Sequence, residues 1–178
     1  MRTAMLAVGV ALVTGTLVST ADARPRVARA KRFESNKTFG VGLELGDVNG
    51  LTGKYFLGDQ SDRAIDFGIG YLATYLDDRS GLHLYADYLW HPLVIVHTDA
   101  FELPLYLGGG LRYWNFDYGA DNGFALGIRV PFGVAMDFNN LPLDIFLQFV
   151  PVLDFLHDYI HDVDGDFDIS VGARFWFE

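Results

Sequence analysis

The 178 residues suffice for one domain with a real core, and the absence of cysteine means that no disulfide framework supports it. Twenty glycines, 15 phenylalanines and 9 tyrosines exclude a helical protein and suit twisted strands and turns. The formal net charge is −10, yet the basic residues gather near the N-terminus, so the rest of the chain is strongly acidic.

The first element is a targeting segment. Arg2 precedes the apolar run AMLAVGVALVTGTLV, which leads into STADA with small residues at Ala21 and Ala23, and Arg24 follows. A charged flank, an apolar stretch and a small-residue exit make a cleavable leader. A membrane anchor is the other reading, disfavoured because no second apolar span follows. The expectation is a leader over 1–23 and an exported chain. Segment 24–32, RPRVARAKR, holds five of the 13 basic residues and begins a basic flexible arm over 24–37. Export makes nucleic acid a poor partner for that arm.

A single domain is expected over 38–178, where period two dominates. Eight strands are predicted, at 38–46, 51–58, 63–73, 82–91, 101–113, 123–137, 142–150 and 166–177, divided by turn-like pieces such as DVNG, DQSD, DDRSG, GADNG and NNLP. Sorted by parity, one face is apolar: Val41, Leu43, Leu51, Phe67, Ile69, Leu84, Leu105, Ile128, Leu147 and Val171 belong to it. The other carries Glu44, Lys54, Asp66, His83, Asp87, Glu102, Arg112, Arg129, Asp144, Asp168 and Arg174, with most of the glycines.

Parity does not say which face points outward. A soluble calyx turns its apolar face in, whereas a membrane barrel turns it out. The glycines favour the membrane barrel. A solvated surface has no steric need for them, but the lumen of an eight-stranded barrel is only just wide enough for side chains. Charges of both signs suit ion pairs in a lumen, and strands near ten residues match a tilted membrane span. The expected fold is therefore all-β, an eight-stranded antiparallel up-and-down transmembrane β-barrel. Glu44, Lys54, Asp66, Asp87, Glu102, Arg112, Arg129, Asp144 and Arg174 are its lumen ion-pair residues. Glu44 is expected to meet Lys54, and Arg112, Arg129 and Arg174 to meet Glu102, Asp144 and Asp66. Phe56, Leu72, Phe146 and Trp176 break the alternation as inward plugs or rim residues. Tyr55, Tyr71, Tyr88, Trp90, Tyr113 and Phe177 are candidates for an aromatic girdle. With both termini periplasmic, the connections 47–50, 74–81, 114–122 and 151–165 would face the exterior.

The stretches GVGLELGDVNGLTGKYFLG, AIDFGIGY, LHLYADYLWH, LPLYLGGGLRY, GIRVPFGVAMDF, PLDIFLQFVPVL and GARFWFE carry a resemblance over about residues 38–178. This pattern resembles the small eight-stranded outer-membrane barrels of Gram-negative bacteria, like the OmpA transmembrane domain, and more closely a family of bacterial barrels without an assigned function. The resemblance implies insertion in the cell outer membrane by the barrel assembly machinery, contact with membrane lipid and lipopolysaccharide, and a monomer. It implies no cofactor and no catalytic residue. Such barrels often end in an aromatic residue, whereas here Glu178 follows FWF.

Other chemistry is thinly supported. A lipid-modifying barrel enzyme would need an activated nucleophile, and Ser170, His83 and His91 share the lumen parity without a spacing that ties them together. Segment 154–168, DFLHDYIHDVDGDFD, offers Asp162, Asp164 and Asp166 at calcium-loop spacing. Phe167 stands where the loop's glycine belongs, however, and Ala173 where its glutamate belongs. His157 and His161, four apart, could share a metal with Asp154 or Asp158. A hydrated acidic loop fits this segment better. The functional expectation is a structural or interaction barrel with a charged, largely plugged lumen. The alternatives are a narrow channel for ions or small solutes, a soluble periplasmic calyx and the enzyme.

Overall fold

The computed structural model describes residues 31–73, 80–118, 121–157 and 164–177. The expected leader over 1–23 lies outside the described residues, as does 24–30 of the arm. Nine strands form: β1 (Phe39–Gly46), β2 (Val48–Phe56), β3 (Arg63–Ala73), β4 (Ser80–His97), β5 (Phe101–Tyr118), β6 (Asp121–Arg129), β7 (Phe132–Phe138), β8 (Leu143–His157) and β9 (Asp164–Phe177). Each pairs antiparallel with its chain neighbours, except that β6 and β7 together make one stave between β5 and β8. The ring closes where β1 pairs with β9, from Phe39 opposite Phe177 to Gly46 opposite Ser170. The result is an eight-staved, up-and-down antiparallel barrel, as the alternation predicts.

The strands outrun several predicted ends. β4 continues past residue 91, because two register shifts, between Trp90 and Leu93 and between Val94 and Val96, absorb Pro92 without ending the ladder. Pro131 likewise lacks an N–H and splits β6 from β7. The backbone stays satisfied there: Gly108 N–H donates to the Pro131 carbonyl at 2.8 Å, and Val130 N–H donates to the Pro151 carbonyl at 3.0 Å. At the opposite end of the ring from the termini, β5 runs to Tyr118 and β8 to His157, so those hairpin connections are shorter than expected. β1 and β2 are separated by Asp47 alone, not by 47–50.

Large inward side chains sit directly opposite glycines. Cross-strand register pairs Trp176 with Gly40, Tyr85 with Gly68, Tyr106 with Gly133 and Phe146 with Gly172. A Cβ on any of these glycines would lie 2.4–2.9 Å from the opposing aromatic side chain. The ring therefore lies flat across the bare backbone, a close approach only glycine permits. Three apolar clusters occupy the interior: Phe33, Phe56, Ala64, Val94 and Trp176 at the end holding the termini; Leu89, Tyr106, Ala135 and Phe146 deeper; and Val48, Trp114 and Ala125 toward the hairpin end. Phe56, Phe146 and Trp176 thus point inward as expected, while the Leu72 side chain lies outside the described ones.

Phe33 belongs to the segment expected as a basic arm, and in the structure 31–37 lie against the barrel mouth. Phe33 is 2 % exposed and Ser35 equally buried, Ser35 N–H donates to the Ser61 carbonyl, and Lys31 bridges to Val94. An aromatic residue among basic ones finds an apolar recess at the barrel mouth, and the basic neighbours find carboxylates at its rim.

Gly172→Leu should destabilise the barrel by about 1–3 kcal/mol or abolish folding, because the new side chain must displace the Phe146 ring. Gly109→Leu, whose Cβ would meet nothing closer than Arg129 O at 4.0 Å, should leave the unfolding free energy within about 0.5 kcal/mol of the native value. Tryptophan fluorescence in detergent reads both.

Candidate functional site

The interior of the ring holds the charged side chains and the exterior holds the greasy ones. Lys54, Arg112 and Arg129 are each 1 % exposed and Arg174 is 0 %, whereas Leu43 is 61 %, Leu111 62 %, Ile128 49 % and Val171 47 % exposed. Alternation along each strand produces this inversion. Once the glycines and aromatics set the inward face, the intervening leucines, isoleucines and phenylalanines must point out. Tyr55, Trp90 and Phe177 are exposed toward the end with the termini and Tyr71 toward the other. Tyr113, on the hairpin half of β5, is half-buried. Tyr88 sits mid-strand, because β4 is longer than predicted.

At the mouth near the termini, Phe33 packs on Phe56 and His91, with ring centroids 5.8 and 5.2 Å away. Beneath them His91 Nδ1 lies 3.1 Å from the Asp62 carbonyl and Nε2 lies 2.9 Å from Lys54 Nζ. The arrangement fits Nδ1–H donating to the carbonyl while Nε2 accepts from the ammonium. The Lys54 ammonium also faces the rings of Tyr106 and Phe56 at 4.7 and 5.4 Å.

Arg174 crosses the next layer. It donates from Nη1 to Asp66 at 3.0 Å and from Nε to Asp144 at 3.1 Å, and lies over the Phe146 ring at 4.1 Å. Glu44 takes hydrogen bonds from neutral donors: the Tyr85 hydroxyl at 2.6 Å, Gln148 Nε2 at 2.7 Å and the Ser170 hydroxyl. Arg129 stacks on Tyr85 at 4.0 Å and approaches Asp87 at 3.1 Å. Nearest the hairpin end, Arg112 makes a two-pronged contact with Asp154, at 3.0 and 2.6 Å, and reaches Asp166 at 3.0 Å and Asp168 at 3.2 Å.

Of the nine residues expected as lumen ion pairs, eight are buried inside the ring and one is not. Glu102 is the exception: it lies at the rim, bound to Lys31 and, at 2.8 Å, to His97. It stands ten positions from Arg112 on the same strand, about 33 Å at ~3.3 Å per residue, so the two cannot pair. The expected Glu44–Lys54 pair is also corrected. Register sets Glu44 opposite Gly50 and Lys54 opposite Gly40, well apart along the hairpin. Of the carboxylates assigned to the arginines, Asp66 and Asp144 both go to Arg174.

Sequence reasoning missed the pairing of Asp154, Asp166 and Asp168 with Arg112, although it placed Asp168 on the charged face, and it missed the neutral donors on Glu44. Asp154 was legible: extending the even-numbered inward parity of β8 past residue 150 reaches it. The nucleophile arrangement does not assemble, since the Ser170 hydroxyl is spent on Glu44, His91 is held by Lys54 and Asp62, and His83 has no hydrogen-bond partner. Among the metal candidates, Asp166 is bound to Arg112, His161 and Asp162 lie outside the described residues, and the side chains of His157 and Asp164 are not described. No group of three metal-ligating side chains gathers among the described residues.

At the rim, partial burial opposes ionisation of Asp62. Hydrogen bonds from Arg32 and the Trp90 indole outweigh it and hold the carboxyl below the ordinary aspartate range.

An eight-staved antiparallel ring with apolar side chains outside and paired charges within has the architecture of a small transmembrane β-barrel. No family model matches the chain, and no curated protein does either. Among solved structures it is similar to Neisserial surface protein A, at 14 % identity and a TM-score of 0.48 over 78 % of this chain and 94 % of that one. It is also similar to Ail, the attachment invasion locus protein of Yersinia pestis, solved with the heparin analogue sucrose octasulfate, at 17 % identity and a TM-score of 0.38 over 79 % of this chain and 97 % of that one.

Arg174→Gln should cost about 3–5 kcal/mol in urea unfolding, because it leaves Asp66 and Asp144 buried without the guanidinium that hydrogen-bonds both. Adding Asp66→Asn and Asp144→Asn should recover most of that loss. Glu102→Gln, at the partly solvated rim, should cost at most about 1 kcal/mol.

Proposed function

We propose that this chain is an exported outer-membrane protein with a structural or interaction role, its charged lumen plugged by its own side chains. The observation that carries the reading is the inversion of burial: arginines at 0–1 % exposure inside a closed ring whose outer face is leucine, isoleucine, valine and phenylalanine. In water such a surface would be a large uncovered apolar area; against acyl chains it is the compatible one. The same inversion argues against a soluble calyx, which would place those apolar side chains inside. Export through a leader over 1–23, assembly by the barrel machinery, contact with lipopolysaccharide and a monomeric state belong to this reading. No enzymatic step is part of it, because Ser170 is engaged with Glu44 and His91 with Lys54 and Asp62 rather than arranged around a substrate.

A narrow channel is the second reading, and one observation favours it. Both ring nitrogens of His83, Nη1 of Arg129, Nη2 of Arg174 and Nε1 of Trp176 are buried without a protein hydrogen-bond partner. Internal water would satisfy them, and a conduit needs water.

The test pairs two measurements. Membrane fractionation with gel migration of unheated and boiled samples should place the protein in the outer-membrane pellet, with a heat-sensitive mobility. A soluble, heat-insensitive protein would end the proposal. Reconstitution in planar bilayers should then give no steady conductance above the lipid background, whereas well-defined openings would favour the channel.

A further inference from the structure

We propose that residues 31–37 are a latch that closes the mouth of the barrel near the termini and controls access of water-soluble molecules to the Lys54–His91 pair beneath it. The proposal goes beyond the membrane reading, since it concerns which end of the ring is shut and by what.

Three observations carry it. First, Phe33 is seated in the mouth, 2 % exposed, against Phe56, Ala64, Val94 and Trp176, which are contributed by four different strands. Second, the basic residues around it each hold a carboxylate from a different part of the rim. Lys31 holds Glu102 at the start of β5, Arg32 holds Asp62 before β3 at 2.8 Å, and Lys37 holds Asp137 on β7. The segment is thus tied at well-separated points of the circumference. Third, its backbone is only lightly joined to the wall, through Ser35 N–H to the Ser61 carbonyl and the Val94 N–H to the Lys31 carbonyl. A β-strand of similar length in the ring has a full ladder on both sides. One aromatic side chain, three ion pairs of which two involve half-exposed or more exposed cations, two backbone bonds and the hydrogen bonds from the Lys37 ammonium to the Phe138 and Leu143 carbonyls make an attachment smaller than a strand's ladder, one that opens without unfolding the barrel. Directly below lie His91 and Lys54, so release uncovers this polar pair. Deeper still, the Arg174 layer and the cluster of Leu89, Tyr106 and Phe146 remain in place. Opening the latch therefore exposes the Lys54–His91 pair, not a through-pore.

The chain has no cysteine, so a single introduced thiol reports access without background. Val94→Cys places one beside Phe33 with little change in volume. Folded Val94→Cys barrel in lipid vesicles or detergent is treated with a charged maleimide, alone and with 31–37 replaced by a Gly-Ser linker of equal length. Replacement should raise the labelling rate by roughly tenfold or more while the heat-sensitive gel band persists. A second variant, Lys31→Gln with Arg32→Gln and Lys37→Gln, should give an intermediate rate. Raising salt should speed labelling of the native latch, through screening of its exposed pairs, more than that of this variant. Equal labelling with and without the latch, or fast labelling of the native chain at low salt, overturns the proposal. If the linker chain fails to fold, the glutamine variant and the salt series decide it. Loss of the heat-sensitive band in the native chain would instead count against the membrane barrel itself.

Discussion

The width of an eight-staved ring governs this structure. Side chains from opposite walls meet in its lumen, so a large one is admitted only where the neighbouring stave gives up its own. That is why Trp176, Tyr85, Tyr106 and Phe146 each face a glycine, why Arg112 and Arg129 face Gly127 and Gly110, and why Phe56 and Trp114 face Ala64 and Ala125. The glycines do not loosen the sheet. Gly40, Gly68, Gly133 and Gly172 are covered by aromatic side chains, and Gly110 and Gly127 by the carboxylates of Asp87 and Asp154, so the interior is packed by pairing large with absent.

The same crowding sets the electrostatics. Among the described residues, the buried cations Lys54, Arg112, Arg129 and Arg174 face a larger number of inward carboxylates, Glu44, Asp66, Asp87, Asp144, Asp154, Asp166 and Asp168 among them. The surplus is negative, so not every carboxylate can have a cation to itself. Two devices resolve this. Arginine, with donors along a planar fork, serves several carboxylates at once: Arg112 takes three and Arg174 two. Glu44 is held by hydroxyl and amide donors instead. Asp66 and Asp87 stand directly opposite across β3 and β4, a repulsive pairing on its own, and are drawn to different arginines from opposite sides of the ring. Cross-ring contacts of this kind fix the circumference as well as neutralise the charge.

The period-two pattern made the fold legible, and the glycine face made its inside legible, because both follow from local geometry: alternation is a property of the strand and glycine a property of the space opposite it. Strand ends were less legible. Pro92 and Pro131 look like stops, yet a bulge in one case and carbonyl acceptance in the other carry the ladder past them. The identities of the ion pairs were mostly illegible, because parity says that Arg112 points inward but not at what height its partners lie around a tilted ring. Glu102 shows the limit: it shares parity with Arg112 and belongs to a different environment. Phe33 was hidden for another reason. A lone aromatic in a basic tract has no periodicity to announce it, and only the recess left by Ala64 and Val94 gives it a place.

The two ends of the ring are finished differently, and the difference bears on mechanism. Toward the hairpins the apolar cap is built from the staves themselves, with Val48 on β2, Trp114 on β5 and Ala125 on β6, so it cannot leave without breaking the sheet. Toward the termini the cap includes Phe33 from a segment outside the ladder, tethered by charges at the rim. A closed ring has no edge to release and no hinge to bend, which leaves very few ways for it to change state. Among the described residues, the covering element separable from the wall lies at the end with the termini, and the chemistry under that element, Lys54 against His91 among aromatic rings, is what its release would expose.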